Sequence, residues 1–273
     1  MSVVRIGGAL GAEVRGLDLR QPLDPSTFAQ LQTALVEHQV LVFREQPIEP
    51  RHQLALAERF GPVHVHEAYP GVPGCPQIRV LEHTAQRPSK IEKWHSDMTF
   101  RPEPPLGTVL HAQVVPAVGG DTLLSSMTAA FAGLSDRVQR FVDGMLAEHS
   151  FEHGFRESLA EPGGRQRLAG MLRDNPPVRH PVVRRHPVDG RPGLFVNELF
   201  TTRIEGLREA ESAAVLRLLF DHAVAPEYGI RVRWQPHTLV IWDNRSTQHR
   251  PANDHGLVHR KHHRVTIAGD RPR

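Results

Sequence analysis

Phe28, Leu31 and Leu35 recur at the spacing of one helical face. They follow Asp24-Pro25, a capping residue and a proline suited to a first helical turn, so the pattern predicts an amphipathic helix over 25–38. A second helix is predicted over 51–60, closed by Gly61-Pro62, and a third over 209–223, with Leu216, Leu219, Phe220 and Ala223 on one side. A further helix is expected over 127–143, with Ser135 capping its second part. Apolar runs predict strands at 40–43, 77–83, 106–115, 122–125, 145–151, 229–234, 238–242 and 263–268, after a short β entry within 3–18. The turn Pro187-Val188-Asp189-Gly190 predicts a hairpin with arms at 180–186 and 193–197. Residues 152–178 show no periodicity and read as an irregular insertion across the core. Residues 84–93 are polar, hold Pro88, and read as a surface loop or a lid. Strands and turns with a few covering helices point to a mainly β fold with flanking α-helices, a barrel or jelly roll, in one domain over 1–273.

Composition narrows the setting more than the chemistry. A chain of 273 residues, 39% hydrophobic and 23% charged, has the balance of an ordinary globular protein and can bury a sizeable core. It has no apolar run long enough for a membrane span, and its start lacks a secretory signal. Cys75 is the only cysteine, so no internal disulfide can form, and a cytoplasmic location is expected. The positive charge is nearly all arginine, the only lysines being Lys90, Lys93 and Lys261. Arginine suits forked recognition of small anions, and no basic run is long enough for a nucleic-acid arm. The expected partner is therefore a small anionic molecule, with neither nucleic acid nor membrane, in a homo-oligomer (dimer or tetramer).

Among 18 histidines, His-x-Asp occurs once, at His95-Ser96-Asp97. On an extended strand such a pair points to one side, and a second imidazole would complete two histidines and a carboxylate around Fe(II). A buried strand-end histidine with an ordinary hydrogen-bond partner is the other reading of the same residues. His249 lies just past the predicted strand 238–242, where it can face a barrel mouth. Arg260 and Arg264, four apart on a strand, share a face, and His262 falls between them. Two inward arginines are costly unless they meet anions, whereas an edge strand or ion pairs with Asp121 or Glu198 would accommodate them without a ligand. His64 and His66 read as polar loop residues. His255, His259 and His263 read as solvated loop histidines.

Four blocks occur in order along the chain: Trp94-His95-Ser96-Asp97-Met98-Thr99-Phe100, Gly119-Gly120-Asp121-Thr122-Leu123, Trp242 to His249, and His263 to Asp270. Together with Phe195-Val196-Asn197-Glu198 and Phe200 to Ile204, they resemble the taurine/2-oxoglutarate dioxygenase family nearly end to end. The resemblance implies a double-stranded β-helix with Fe(II) on His95, Asp97 and His249, and 2-oxoglutarate and O₂ as cosubstrates. It implies that Arg260 and Thr122 meet the far carboxylate of 2-oxoglutarate, while Arg264 lies near its iron-bound end and the substrate anion. It places His66, Tyr69, Phe155 and Phe200 around the substrate. Where the taurine-specific members carry asparagine and serine, this chain has Ile91 and Gly154, which implies a sulfonate or sulfate ester with a more apolar tail. The same oxidation of a carboxylate or aryloxy acid is an alternative, and a zinc hydrolase using the same ligands is a rival of a different class.

Overall fold

The computed structural model describes residues 1–64, 71–86 and 92–273. In chain order the elements are β1 (Ser2–Arg5), β2 (Ala12–Arg15), α1 (Pro25–His38), β3 (Val40–Phe43), α2 (Pro50–Phe60), β4 (Gly71–Val72), β5 (Cys75–His83), β6 (Gly107–Val114) and β7 (Thr122–Ser126). There follow α3 (Met127–Ala132), α4 (Asp136–Val142), β8 (Leu146–His149), α5 (Phe151–Gly154), α6 (Arg156–Ala160), α7 (Gly164–Arg167) and α8 (Ala169–Asp174). The remainder comprises β9 (Val178–Pro181), β10 (Val183–Arg185), β11 (Pro192–Leu194), β12 (Thr201–Ile204), α9 (Glu209–Ala223), β13 (Gly229–Val232), β14 (Leu239–Asp243), β15 (Thr247–Pro251) and β16 (Arg260–Ile267).

Helix α1 shows how local chemistry sets its ends. The Asp24 carboxylate accepts the Thr27 amide at 2.9 Å, Pro25 opens the first turn, and Gln39 turns left-handed (φ 64°) to return its N–H to Leu35. Of its buried residues, Leu31, Ala34 and Leu35 pack on the main sheet, and Phe28 meets Phe60 edge-on at 4.9 Å.

That sheet has the order β1-β2-β3-β14-β6-β16-β5-β4, and a smaller one has the order β13-β7-β15. Alternation along each strand decides which side chain goes where. Leu41, Phe43, Leu239, Ile241, Val265 and Ile267 form the core against α1 and α2. Val40, Val42, Leu110, Val240 and Trp242 point the other way and pack with Leu124 of β7 and Val232 of β13, so the two sheets face each other. Each such fully buried aliphatic side chain contributes on the order of 1.5–3 kcal/mol. This is the jelly-roll architecture. Because Val265 and Ile267 face the helices, Arg260, His262, Arg264 and Thr266 must face the space between the sheets.

A third sheet, β12-β8-β9, and the hairpin β10-β11 surround a separate apolar cluster with α3, α4 and α9. The expected helix over 127–143 is two helices, since Gly133 ends the first and Ser135 starts the second. The expected strand 145–151 stops at His149, because the Ser150 side chain accepts the His153 amide and begins a helical turn. Residues 152–178 are not irregular throughout: α5 to α8 are too short to carry a helical period. Strands β12 and β15 were not foreseen, being polar in sequence: β12 buries only Thr201 and Ile204, while β15 buries Thr247, Gln248 and His249. The centre of the 84–93 loop lies outside the described residues.

Candidate metal centre

His95 and His249 are held together by backbone pairing, not by their side chains. Each donates its amide to the other's carbonyl, at 3.1 and 2.8 Å, in an isolated antiparallel bridge. Their rings therefore stand side by side, with centroids 4.2 Å apart. The strand expected through His95-Ser96-Asp97 is only this one bridge, followed by a turn in which Met98 has φ 50°. His249 lies inside β15, not beyond a strand end. His95 and Asp97 converge through that turn, with no strand to give the two-residue alternation.

Asn244 fixes the turn. Its side-chain carbonyl accepts the Asp97 amide at 2.6 Å, while its amide donates to the carbonyls of Asp97 and Pro105, both at 3.1 Å. The Asp97 carboxylate is then divided in function. Oδ2 accepts from Arg264 Nη2 at 2.6 Å and from the Thr108 hydroxyl at 3.0 Å. Oδ1 lies 3.8 Å from Nε2 of both His95 and His249. One ligand atom from each of the three residues falls within 4.8 Å of the others, and all three side chains are buried.

The protonation states match a cation site. Burial lowers the His95 imidazole and pushes that of His249 down to about 3, so both rings are neutral near pH 7. The His95 Nδ1–H donates to the Lys93 carbonyl at 2.9 Å, which leaves the Nε2 lone pair turned to the centre. Burial alone would raise the Asp97 carboxyl, but Arg264 and then the two histidines outweigh it and hold it well below the usual carboxylate range. Two neutral imidazoles and one carboxylate are the donor set that suits Fe(II) while leaving positions open.

Behind this centre lie the arginines. Arg260 is buried, its Nε donates to the Gly120 carbonyl at 3.1 Å, and burial pushes its guanidinium down to about 10. Among the described residues it has no ion pair: Asp121 is taken by Arg231, and Glu198 by Lys93. Gly120 takes the left-handed region at φ +71°, and a Cβ there would crowd Pro116 Cγ at 3.2 Å while only touching Arg260 Cδ at 3.4 Å. The Thr122 hydroxyl accepts from Trp234 Nε1 at 3.0 Å, which leaves its own proton free to donate. Arg264, expected at cosubstrate and substrate, spends one nitrogen on Asp97, while its Nε is buried without a partner.

Of the expected substrate residues, His66, Tyr69 and Ile91 lie outside the described residues. Phe200 packs edge-on to His95 at 6.4 Å and joins Phe100, Phe151 and Phe155 in one aromatic cluster. Gly154 has a reason in this packing: a Cβ there would overlap the Phe200 ring. Asn244, Thr108 and Trp234 were not singled out from the sequence. Their importance comes from partners 11 to 147 residues away, which no local pattern signals.

The fold and the two-histidine, one-carboxylate centre define a class, the non-haem iron oxygenases. Comparison with known proteins gives the family. The profile of the taurine catabolism dioxygenase TauD, TfdA family matches residues 2–266, and the chain belongs to it. An alkylsulfatase of Acinetobacter baylyi is 33% identical over 97% of this chain and 84% of its own length. An alpha-ketoglutarate-dependent sulfate ester dioxygenase of Pseudomonas putida is 33% identical over 100% of this chain and 91% of its own. A taurine dioxygenase of Burkholderia xenovorans superposes with a TM-score of 0.85 at 31% identity, over 99% of this chain and 90% of that one. The protein is accordingly a 2-oxoglutarate-dependent dioxygenase that uses Fe(II), 2-oxoglutarate and O₂. Among the described residues no helix is long and apolar enough to cross a membrane.

Proposed function

We propose that the enzyme hydroxylates a small sulfate ester or sulfonate at the carbon beside the heteroatom. The products would be an aldehyde and sulfate or sulfite, together with succinate and CO₂. His95, Asp97 and His249 are assigned to the metal, Arg260 and Thr122 to the far carboxylate of 2-oxoglutarate, and Arg264 to the anionic end of the substrate. When bound, Fe(II) supplies the oxidation, with one atom of O₂ going into succinate as CO₂ leaves and the other onto the substrate carbon. The chain supplies position and charge. Arg264 and Thr108 fasten one oxygen of Asp97, so only the other is presented to the metal. Arg260 offers a buried cation to an incoming carboxylate, and the hydroxyl proton of Thr122 stands ready to donate to it. Phe200 closes one side of the centre against water. Once the carbon carries a hydroxyl, its C–O bond to sulfate (or C–S bond to sulfonate) breaks as the hydroxyl proton leaves and C=O forms.

The observation that carries this reading is the split Asp97 carboxylate between two neutral imidazoles. The preference for an apolar tail rests on Ile91 and Gly154, and the sulfate or sulfonate end is also favoured by the names of the two relatives described above. A panel of medium-chain alkyl sulfates, alkylsulfonates, taurine and a phenoxyacetate, followed by succinate release, tests it. Fastest turnover of an alkyl sulfate or alkylsulfonate is expected. Fastest turnover of taurine removes the apolar-tail assignment, and fastest turnover of the phenoxyacetate removes the sulfur assignment. Product release without O₂ consumption would indicate a hydrolase instead.

A further inference from the structure

His262 is the one inward residue of β16 between Arg260 and Arg264, and it is fully buried. Neither of its ring nitrogens has a hydrogen-bond partner among the described residues. Burial, together with the nearby Arg260, keeps this imidazole neutral, so it carries one N–H donor and one lone pair. A buried donor left unpaired is costly, and native interiors keep few of them without a reason. The surroundings indicate what would satisfy it. The ring stands edge-on to Trp234 at 4.5 Å, and the same Trp234 fixes the Thr122 hydroxyl at 3.0 Å. Arg260 lies two residues away on the same face, anchored at Gly120, two residues before Thr122. Trp234 and the Gly120–Thr122 segment thus tie three donors into one neighbourhood: a guanidinium, a hydroxyl and an unpartnered imidazole.

We infer that His262 is a positioning residue for the cosubstrate, donating its N–H to the carboxylate of 2-oxoglutarate that Arg260 and Thr122 receive. The inference rests on the assignment of Arg260 and Thr122 made above. A neutral imidazole suits this place, since it adds a directional donor to a site whose charge Arg260 already balances. It also fixes chain length, because a cosubstrate without the distal carboxylate leaves the imidazole unpaired.

The test compares two ligands on the Mn(II)-loaded protein by calorimetry: 2-oxoglutarate, and 2-oxopentanoate, which has a methyl group where 2-oxoglutarate has its distal carboxylate. Loss of one hydrogen bond to a charged group predicts that His262→Leu weakens 2-oxoglutarate about tenfold or more and leaves 2-oxopentanoate within about twofold. His262→Gln, which keeps a donor, recovers most of the loss. Equal weakening of both ligands, or no change in either, overturns the inference. Should His262→Leu fail to fold, the crystal structure of the wild-type Mn(II) form with 2-oxoglutarate decides. A ring nitrogen within about 3.2 Å of the distal carboxylate supports the assignment, and one beyond about 4 Å overturns it. The wild-type control separates the two readings. If wild type does not favour 2-oxoglutarate over 2-oxopentanoate, the assignment of Arg260 and Thr122 fails as well. If it does, and His262→Leu is unaffected, only the role of His262 fails.

Discussion

Arg264 and Asp97 meet through one charged hydrogen bond of 2.6 Å, on the carboxylate oxygen that is not turned toward the imidazoles. The contact does two things at once. It holds the carboxylate ionised at the acid end of the pH range, and it fixes which oxygen faces His95 and His249. Arg264→Met should therefore weaken metal binding about 10–100-fold at pH 7, the usual effect of removing a partner of a metal ligand. The deficit should widen toward pH 5, because Asp97 without the arginine takes up a proton at higher pH. Calorimetric titration of Mn(II) at the two pH values measures both effects, and an affinity equal to wild type at each would refute the assignment.

Asn244 ties the turn that carries Asp97 to the chain before β6. Asn244→Ala leaves the Asp97 amide and carbonyl and the Pro105 carbonyl unpaired in a buried place. A loss of about 2–4 kcal/mol in urea unfolding is expected, along with weaker metal binding. A variant as stable as wild type would mean that water or a neighbouring group replaces these bonds.

Gly120 carries the carbonyl that receives Arg260, at 3.1 Å from its Nε. Gly120→Ala combines a left-handed backbone with a Cβ 3.2 Å from Pro116 Cγ and 3.4 Å from Arg260 Cδ. A stability cost of about 1–2 kcal/mol should appear together with weaker 2-oxoglutarate binding, as the strained backbone turns the Gly120 carbonyl away from Arg260 Nε. Stability lost with unchanged cosubstrate affinity would show that Arg260 does not depend on the Gly120 carbonyl.

The metal-free protein should lose stability in mild acid. Burial pushes His111 and His180 down to about 4, against about 6.5 in an unfolded chain. Between these values the unfolded chain binds more protons than the folded one, so stability is full above pH 6.5 and falls as pH drops toward 4. From pH 7 to 5.5 these two groups together account for roughly 2.5 kcal/mol. Urea titrations in a chelator check this, and equal midpoints and slopes at the two pH values would contradict it.

Gly154→Ser and Phe200→Ala probe the aromatic wall from opposite sides. A side chain at 154 displaces the Phe200 ring, and removing that ring opens a cavity costing about 3–5 kcal/mol. Both variants should bind metal as wild type does yet change the ranking of substrates by tail. Rankings identical to wild type would place Phe155 and Phe200 in the core alone.

Much of this was readable in the chain, for physical reasons that differ from residue to residue. Helix α1 was legible to the residue because its cap, its proline and its apolar period all act locally. The inward face of β16 was legible in part: Val265 and Ile267 mark one side, but only the helices packed on them show that Arg260, His262 and Arg264 look between the sheets. His249 was placed beyond a strand because Thr247-Gln248-His249-Arg250-Pro251 is polar; β15 exists through its pairing with β7, a contact made over more than a hundred residues. The short helices α5 to α8 were hidden because four to six residues cannot show a period. Asn244 and Trp234 act through distant partners and leave no mark in their own neighbourhood.

The central claim is that His95, Asp97 and His249 hold one ferrous ion on which 2-oxoglutarate can chelate. Anaerobic absorption spectroscopy reads this directly, by adding 2-oxoglutarate to the Fe(II)-loaded protein and to its Asp97→Ala variant. A visible charge-transfer band that saturates near one equivalent in wild type and is missing from the variant is the predicted result. Wild-type protein that binds Fe(II) without developing the band, or a variant that keeps it, would contradict the account.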